Sequence, residues 1–226
     1  MSAKLNAARE ALKFLGGVDV IGVGSGSTVK LFLQELSRLK TAVTCVPSSL
    51  DTLEQLARLG FPVTTLLHAR KLRVAFDGAD QVDASFNMAK GGGGALTMEK
   101  IVDYSSELLV VMIEKYKIVD TLGKTFPLPI ELIPDAFPLV EEAVRMHNGQ
   151  LLPRTGSGKV GPVITDNGLM LADAKFPDGI PDPKALEGSL KTCPGVLEVG
   201  LFTKHPNVVL VIGDEAGAKV KYSRKL

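Results

Sequence analysis

The chain has no tryptophan, three tyrosines, three histidines and two cysteines, and only 5% of its residues are aromatic. Cys45 and Cys193 are too few to build a disulfide framework or a zinc site, and both read as reduced core thiols of a cytoplasmic protein. His68, His147 and His205 lack partners at ligand or triad spacing and are expected on the surface. Net charge is missing too: 26 Lys+Arg against 25 Asp+Glu leave +1. That balance removes the bulk attraction behind non-specific binding to nucleic acid or an anionic membrane. Any anion must therefore be held by a local site. The longest apolar run, Leu108 to Ile113, falls far short of the roughly 20 residues needed to cross a bilayer. Lys4, Arg9, Glu10 and Lys13 break any signal-peptide core, so the mature chain is expected to start near Met1.

What is present is a foldable chain of 226 residues, 45% of them hydrophobic, with 23 glycines and 13 prolines. The apolar fraction at so little net charge excludes disorder. Apolar spacing predicts helices over residues 3–15, 28–39 and 95–105, and one capped by Ser49 and ended by Gly60. Strands are predicted at 18–23, 42–46, 63–66, 72–76 and 108–113, the last as a buried central strand. This alternation is the pattern of an α/β protein with a Rossmann-like, mainly parallel sheet. After Phe126, prolines 127, 129, 134 and 138 mark a change to a smaller α+β (ferredoxin-like) domain. Its expected elements are a helix at 139–147, strands near 150–154, 162–165 and 169–173, a helix at 183–190 and a strand at 196–202. Asp166-Asn167-Gly168 reads as a hairpin turn within it. The apolar strand at 208–212 looks like a return to the first sheet, giving domains of 1–125 plus 203–226 and of 126–202.

Three segments could carry chemistry. Gly22-Val23-Gly24-Ser25-Gly26-Ser27-Thr28 joins a strand to a helix, where free N–H groups and the helix dipole favour an anion. A tight turn capped by serine fits it equally well. It is no dinucleotide fingerprint, because Ser27 replaces the third glycine and no acid follows the next strand. Asp77-Gly78-Ala79-Asp80 follows a strand directly, at the end of the sheet where ligands bind in open α/β folds; with Asp83 it also fits a plain Asx turn. Lys90-Gly91-Gly92-Gly93-Gly94 then precedes a helix bearing Glu99. Exposed amides beside a lysine can stabilise an oxyanion, and Glu99 could serve as a general base. Taken alone, a flexible loop before a solvated helix explains these residues as simply. Gly156-Ser157-Gly158-Lys159 fails as a P-loop, because Pro153 and Val160 occupy decisive positions, and reads as a solvent loop.

Together, Gly24-Ser25-Gly26-Ser27-Thr28, Asp77-Gly78-Ala79-Asp80 and the run from Lys90 through Gly91-Gly92-Gly93-Gly94-Ala95-Leu96-Thr97-Met98-Glu99-Lys100-Ile101 resemble ribose-5-phosphate isomerase, type A. The resemblance continues through Val119 to Lys124, Pro127-Leu128-Pro129, Thr165 to Gly168 and Pro194 to Phe202, nearly the whole chain in order. It implies cofactor-free and metal-free interconversion of D-ribose 5-phosphate and D-ribulose 5-phosphate through an enediolate, in the non-oxidative pentose phosphate pathway. By the same resemblance Glu99 is the base, Asp77 assists ring opening, and Asp77 and Asp80 bind sugar hydroxyls. Lys90 and the amides of Gly91, Gly92 and Gly93 meet the oxyanion and hydroxyls. Ser25, Gly26, Ser27 and Thr28 line the phosphate side with Lys4. Gly78 and Ala79 lie in the same substrate contact, and Lys117 is a further substrate-binding lysine. A homodimer or homotetramer is implied as well, with the smaller domain as a candidate oligomerisation module, and neither nucleic acid nor membrane as partner. Ser25, Gln81, Met98, Glu114 and Leu169 stand where the family usually has Thr, Glu, Arg, Asp and Asn. The competing expectation is a sugar-phosphate-sensing, effector-binding domain without catalysis. It would need a DNA-binding element, for which too few residues precede the first strand.

Overall fold

The computed structural model describes residues 2–223. They form two units, one of residues 2–79, 98–117 and 205–223, the other of 80–97 and 118–204. The first is built on a six-stranded sheet in the order Ala218–Tyr222, Val208–Gly213, Ser106–Glu114, Leu72–Gly78, Val20–Val23, Thr44–Pro47. All neighbours are parallel except the outer pair, where Ala218–Tyr222 runs antiparallel as an edge absent from the sequence expectations. Leu109 to Ile113 are fully buried, as a parallel strand covered on both faces requires. Phe32, from the helix Ser27–Arg38, stacks on Phe76 at 4.5 Å between ring centres, tying that helix to the sheet.

Several local expectations hold for identifiable reasons. Ser49 caps the helix Leu50–Leu59 by accepting the Thr52 N–H at 3.0 Å, and Gly60 ends it in the left-handed region with φ 75°. The strand expected at 63–66 does not form. Cys45 pairs with Val63 in a single bridge, with its N–H on Pro62 and its carbonyl on the Thr64 N–H. The next rung would need an N–H from Pro47, which has none. The chain turns instead into the one-turn helix Leu66–Ala69. Among the described residues no helix is long and apolar enough to cross a membrane.

In the second unit the strands Leu128–Leu132, Gln150–Pro153, Met170–Lys175 and Val196–Val199 pair antiparallel, with the fourth beside the first, then the third, then the second. With the helices Phe137–Met146 and Pro183–Lys191 this is the ferredoxin-like βαββαβ order. The strand expected at 162–165 lies instead at Lys159–Pro162, paired with Thr155–Gly156 across Ser157-Gly158. The strand expected at 196–202 is broken at Gly200, whose α-carbon lies so close to the Lys90 carbonyl that a Cβ would sit 2.4 Å from that oxygen. Beyond it Leu201–Phe202 joins a separate three-stranded sheet with Met88–Ala89 and Gln81–Val82.

That small sheet moves the domain boundary. Residues 80–97 and 118–125 group with the second unit rather than with the first, as do residues 203–204. Gln81 shows why: its side chain donates to Thr125 Oγ1 at 2.6 Å and accepts the Gly123 N–H at 2.8 Å. The thiols and histidines also depart from expectation. Both cysteines are free, but only Cys45 is fully buried, its thiol pushed up to about 12 by desolvation, while Cys193 is half-buried. His205 is half-buried too, bonded through Nε2 to the Ser106 carbonyl at 3.1 Å, whereas His68 and His147 are exposed.

Candidate active site

In the first unit, backbone geometry forces the glycine loop and Asp77 together. Gly24 donates its N–H to the Phe76 carbonyl at 2.8 Å, and a Cβ on Gly24 would lie 1.8 Å from the Asp77 carboxyl carbon. Only glycine allows that approach. The Asp77 carboxylate, fully buried, accepts the Ser25 N–H at 3.1 Å and the Gly78 N–H at 2.6 Å on the same oxygen. Two amide donors lower the cost of burying this charge.

The loop then presents its serine to the proposed base. Ser25 Oγ donates to Glu99 Oε1 at 2.5 Å. Glu99 lies in the first turn of the helix Leu96–Tyr104 and is 5% exposed, so the dipole of that helix adds to the favourable field on its carboxylate. Lys100 and Asp103 on the same helix are buried as well. Gly26, with φ 93°, is the N-cap of Ser27–Arg38 and points the first amides of that helix out of the loop. Ser27 Oγ accepts from Lys4 Nζ at 2.9 Å, and Lys4 also pairs with Glu114 at 3.6 Å. Thr28 is buried behind the helix start. Lys117 donates to the Ala79 carbonyl at 2.6 Å, just past Asp77 and Gly78. The first unit thus assembles Lys4, Ser25, Gly26, Ser27, Thr28, Asp77, Gly78, Ala79, Glu99 and Lys117.

The second unit carries Asp80, Lys90 and the glycines that follow. Asp80 Oδ2 accepts the Gly92 N–H at 2.8 Å, so that amide is already engaged. Gly91 has φ +100°, and a Cβ there would meet the Leu96 Cβ at 2.8 Å. Lys90 is buried, its ammonium 5.0 Å above the Phe202 ring and its N–H bonded to the Gly200 carbonyl at 2.9 Å. A cation over an aromatic face is attracted by the ring quadrupole, which offsets part of the cost of its desolvation. Among the described residues no group of His, Cys, Asp and Glu converges as a metal site.

Three supporting residues escaped the sequence reading. Thr52 donates from Oγ1 to the Gly24 carbonyl at 2.7 Å and accepts from Ser49 Oγ at 2.9 Å, bracing the glycine-serine loop from the next helix. Nothing in its sequence context marks it, since a threonine one turn into a helix is ordinary. Glu131 is fully buried and accepts from Thr97 Oγ1, from Thr165 Oγ1 at 2.5 Å and from Asn167 Nδ2 at 3.0 Å. A lone acid inside the apolar strand Leu128–Leu132 was its available signal. Arg154 contacts the glycine loop itself and had no signal beyond being a charge beside Pro153.

Comparison with known proteins identifies the same pattern. A sequence model described as "Ribose 5-phosphate isomerase A (phosphoriboisomerase A)" matches residues 44–217. The Ribose-5-phosphate isomerase A of Methanococcus vannielii is 41% identical over 214 residues, 92% of this chain and 89% of that protein. The structure of ribose 5-phosphate isomerase A from Methanocaldococcus jannaschii superposes with a TM-score of 0.90 at 38% identity, covering 97% of both chains. A D-ribose-5-phosphate isomerase in complex with phospho-erythronic acid gives a TM-score of 0.92 at 40% identity, again over 97% of each.

Proposed function

Because the chain belongs to the ribose 5-phosphate isomerase A family, we propose that Glu99 is the base of an isomerase acting on a pentose 5-phosphate. The protein is an isomerase that interconverts D-ribose 5-phosphate and D-ribulose 5-phosphate. One observation carries the assignment of the base: a buried carboxylate at a helix start whose one oxygen is held by Ser25 Oγ at 2.5 Å.

The reaction requires a proton to move between adjacent carbons. Glu99 takes the proton from C2 of the open-chain aldose; the C2–H electrons form C1=C2 and the carbonyl electrons pass to O1, giving the enediolate. Returning the proton to C1, with O2 losing its hydroxyl proton and O1 gaining one, yields the ketose. The first transfer leaves the carboxyl neutral and the second restores its charge. Lys90 and the amides of Gly91 and Gly93 supply the positive field for the oxyanion, while the Gly92 N–H is held by Asp80. Asp77 assists ring opening and, with Asp80, binds sugar hydroxyls. The phosphate goes to Ser25, Gly26, Ser27 and Thr28, where the dipole of a twelve-residue helix and the nearby Lys4 favour an anion. Gly78, Ala79 and Lys117 complete the substrate contacts, and neither metal nor organic cofactor enters a step. The same reading places the enzyme in the cytoplasm, in the non-oxidative pentose phosphate pathway, as a homo-oligomer; the free thiols support the first of these.

The test is a coupled assay for ribulose 5-phosphate formed from ribose 5-phosphate without added metal or nucleotide. Glu99→Gln keeps the shape and removes the base, so turnover is expected to fall at least ~10²-fold with substrate binding largely retained. Near-normal turnover in that variant overturns the assignment.

A further inference from the structure

The glycine loop of the second unit is gripped by one guanidinium. Arg154 Nη1 donates to the carbonyl oxygens of both Gly91 and Gly92, at 3.0 Å each. Its other edge is a fork on Asp173: Nε reaches Oδ2 at 2.8 Å and Nη2 reaches Oδ1. These two side chains are only 16% and 19% exposed, so solvent screens the pair little. Arg154 follows the strand Gln150–Pro153, Asp173 lies on the adjacent Met170–Lys175, and the Arg154 N–H bonds the Leu171 carbonyl at 2.9 Å. The guanidinium is therefore fixed by side chain and backbone alike.

A trans peptide carries its oxygen and its hydrogen on opposite sides. With the Gly91 oxygen on Arg154, the Gly92 N–H is turned the other way, and it is found on Asp80. With the Gly92 oxygen on the same cation, the Gly93 N–H must also point away from it. Gly93 is exposed, and among the described residues no acceptor takes its N–H. A cation at the carbonyl end of a peptide draws electron density from the nitrogen and strengthens its N–H as a donor. We infer that Arg154 is a positioning residue for the isomerisation: it aims and polarises the Gly92–Gly93 peptide so that the Gly93 N–H meets the oxygen that becomes negative in the enediolate. This rests on the isomerase reading above.

The test measures kcat and KM on ribose 5-phosphate, affinity for phospho-erythronate and thermal stability in Arg154→Met, Arg154→Lys and Asp173→Asn. Phospho-erythronate serves as the probe because its carboxylate puts negative oxygen where the enediolate develops it. Arg154→Met is expected to lower kcat about 10- to 100-fold, less than the roughly 10²–10³-fold of deleting a donor outright, with KM within about threefold. Phospho-erythronate binding should weaken by a similar factor, since it shares the charge of the transition state. Arg154→Lys, which keeps the charge and loses the fork, should recover part of kcat, and Asp173→Asn should lose less than Arg154→Met. A wild-type kcat in folded Arg154→Met overturns the inference, as does a rise in KM alone. If Arg154→Met does not fold, a wild-type kcat in both other variants overturns it instead. An inactive wild-type chain would refute the isomerase reading and this inference with it, whereas an active wild type with unchanged kcat in folded Arg154→Met refutes the inference alone.

Discussion

A carboxylate leaves water at a high cost unless donors await it, and the two central acids of the first unit meet this requirement differently. Asp77 takes two backbone amides, which fix its charge and bind it to the loop it supports. Glu99 takes a serine hydroxyl on one oxygen, a neutral donor that orients without adding a competing charge. His205 is the counter-case, a half-buried base whose surroundings favour its neutral form. It accepts the Asn207 N–H on Nδ1 at 3.2 Å and keeps Nε2 on the Ser106 carbonyl, and desolvation lowers its pKa. The unfolded chain therefore binds a proton near pH 6.5 that the folded chain refuses, so stability is present above that pH and lost as pH falls toward the folded value. Thermal melts from pH 7.5 to 5 should show this decline, limited for one proton to about 1.4 kcal/mol per pH unit, and His205→Gln should flatten it. Equal slopes in both proteins would refute that role. Residue identities along the chain revealed which groups could do chemistry, but not their burial: Lys100 and Asp103 look solvated by composition and are inside.

Elements show where local signals suffice. Ser49 and Gly60 bound their helix because a hydroxyl and a left-handed glycine satisfy its ends whatever surrounds them. The turn between Val20–Val23 and Ser27–Arg38 is legible for a similar reason, since glycines and a serine after an apolar strand mark a strand-to-helix junction whatever it binds. Why Gly24 must be glycine was not legible, because the obstructing atoms belong to Asp77, 53 positions later. Gly24→Ala is accordingly expected to cost about 1–3 kcal/mol and to lower kcat/KM, measured by denaturant unfolding and the isomerase assay; wild-type values in both would contradict the packing described. The short strands Gln81–Val82 and Met88–Ala89 escaped notice because two residues carry no periodicity, and Leu201–Phe202, which pairs with Met88–Ala89, lies more than a hundred positions away. Pro47 ended a strand pairing that its apolar neighbours had suggested, by lacking one hydrogen.

The whole molecule shows the same division. Its class, a parallel sheet unit and a ferredoxin-like unit, was readable because strands buried on both faces are continuous apolar runs and the alternation of elements restricts topology. The exposed Ile133, Leu139, Met146 and Leu197 of the second unit support the proposed oligomer. Light scattering is expected to give two or four times the 24.0 kDa chain mass, and a monomer mass would refute it. What the sequence determined by itself was the chemistry available: three glycine-bearing loops at strand ends, a lysine, two aspartates and a glutamate in an order shared with a known isomerase family. These features are local, set by backbone freedom and by side-chain type. Only the tertiary structure decided which unit residues 80–97 join, that one oxygen of Asp77 receives both amides, and that Thr52 and Arg154 brace the loops from behind. Those outcomes depend on contacts between positions far apart in the chain, whose geometry no local propensity encodes.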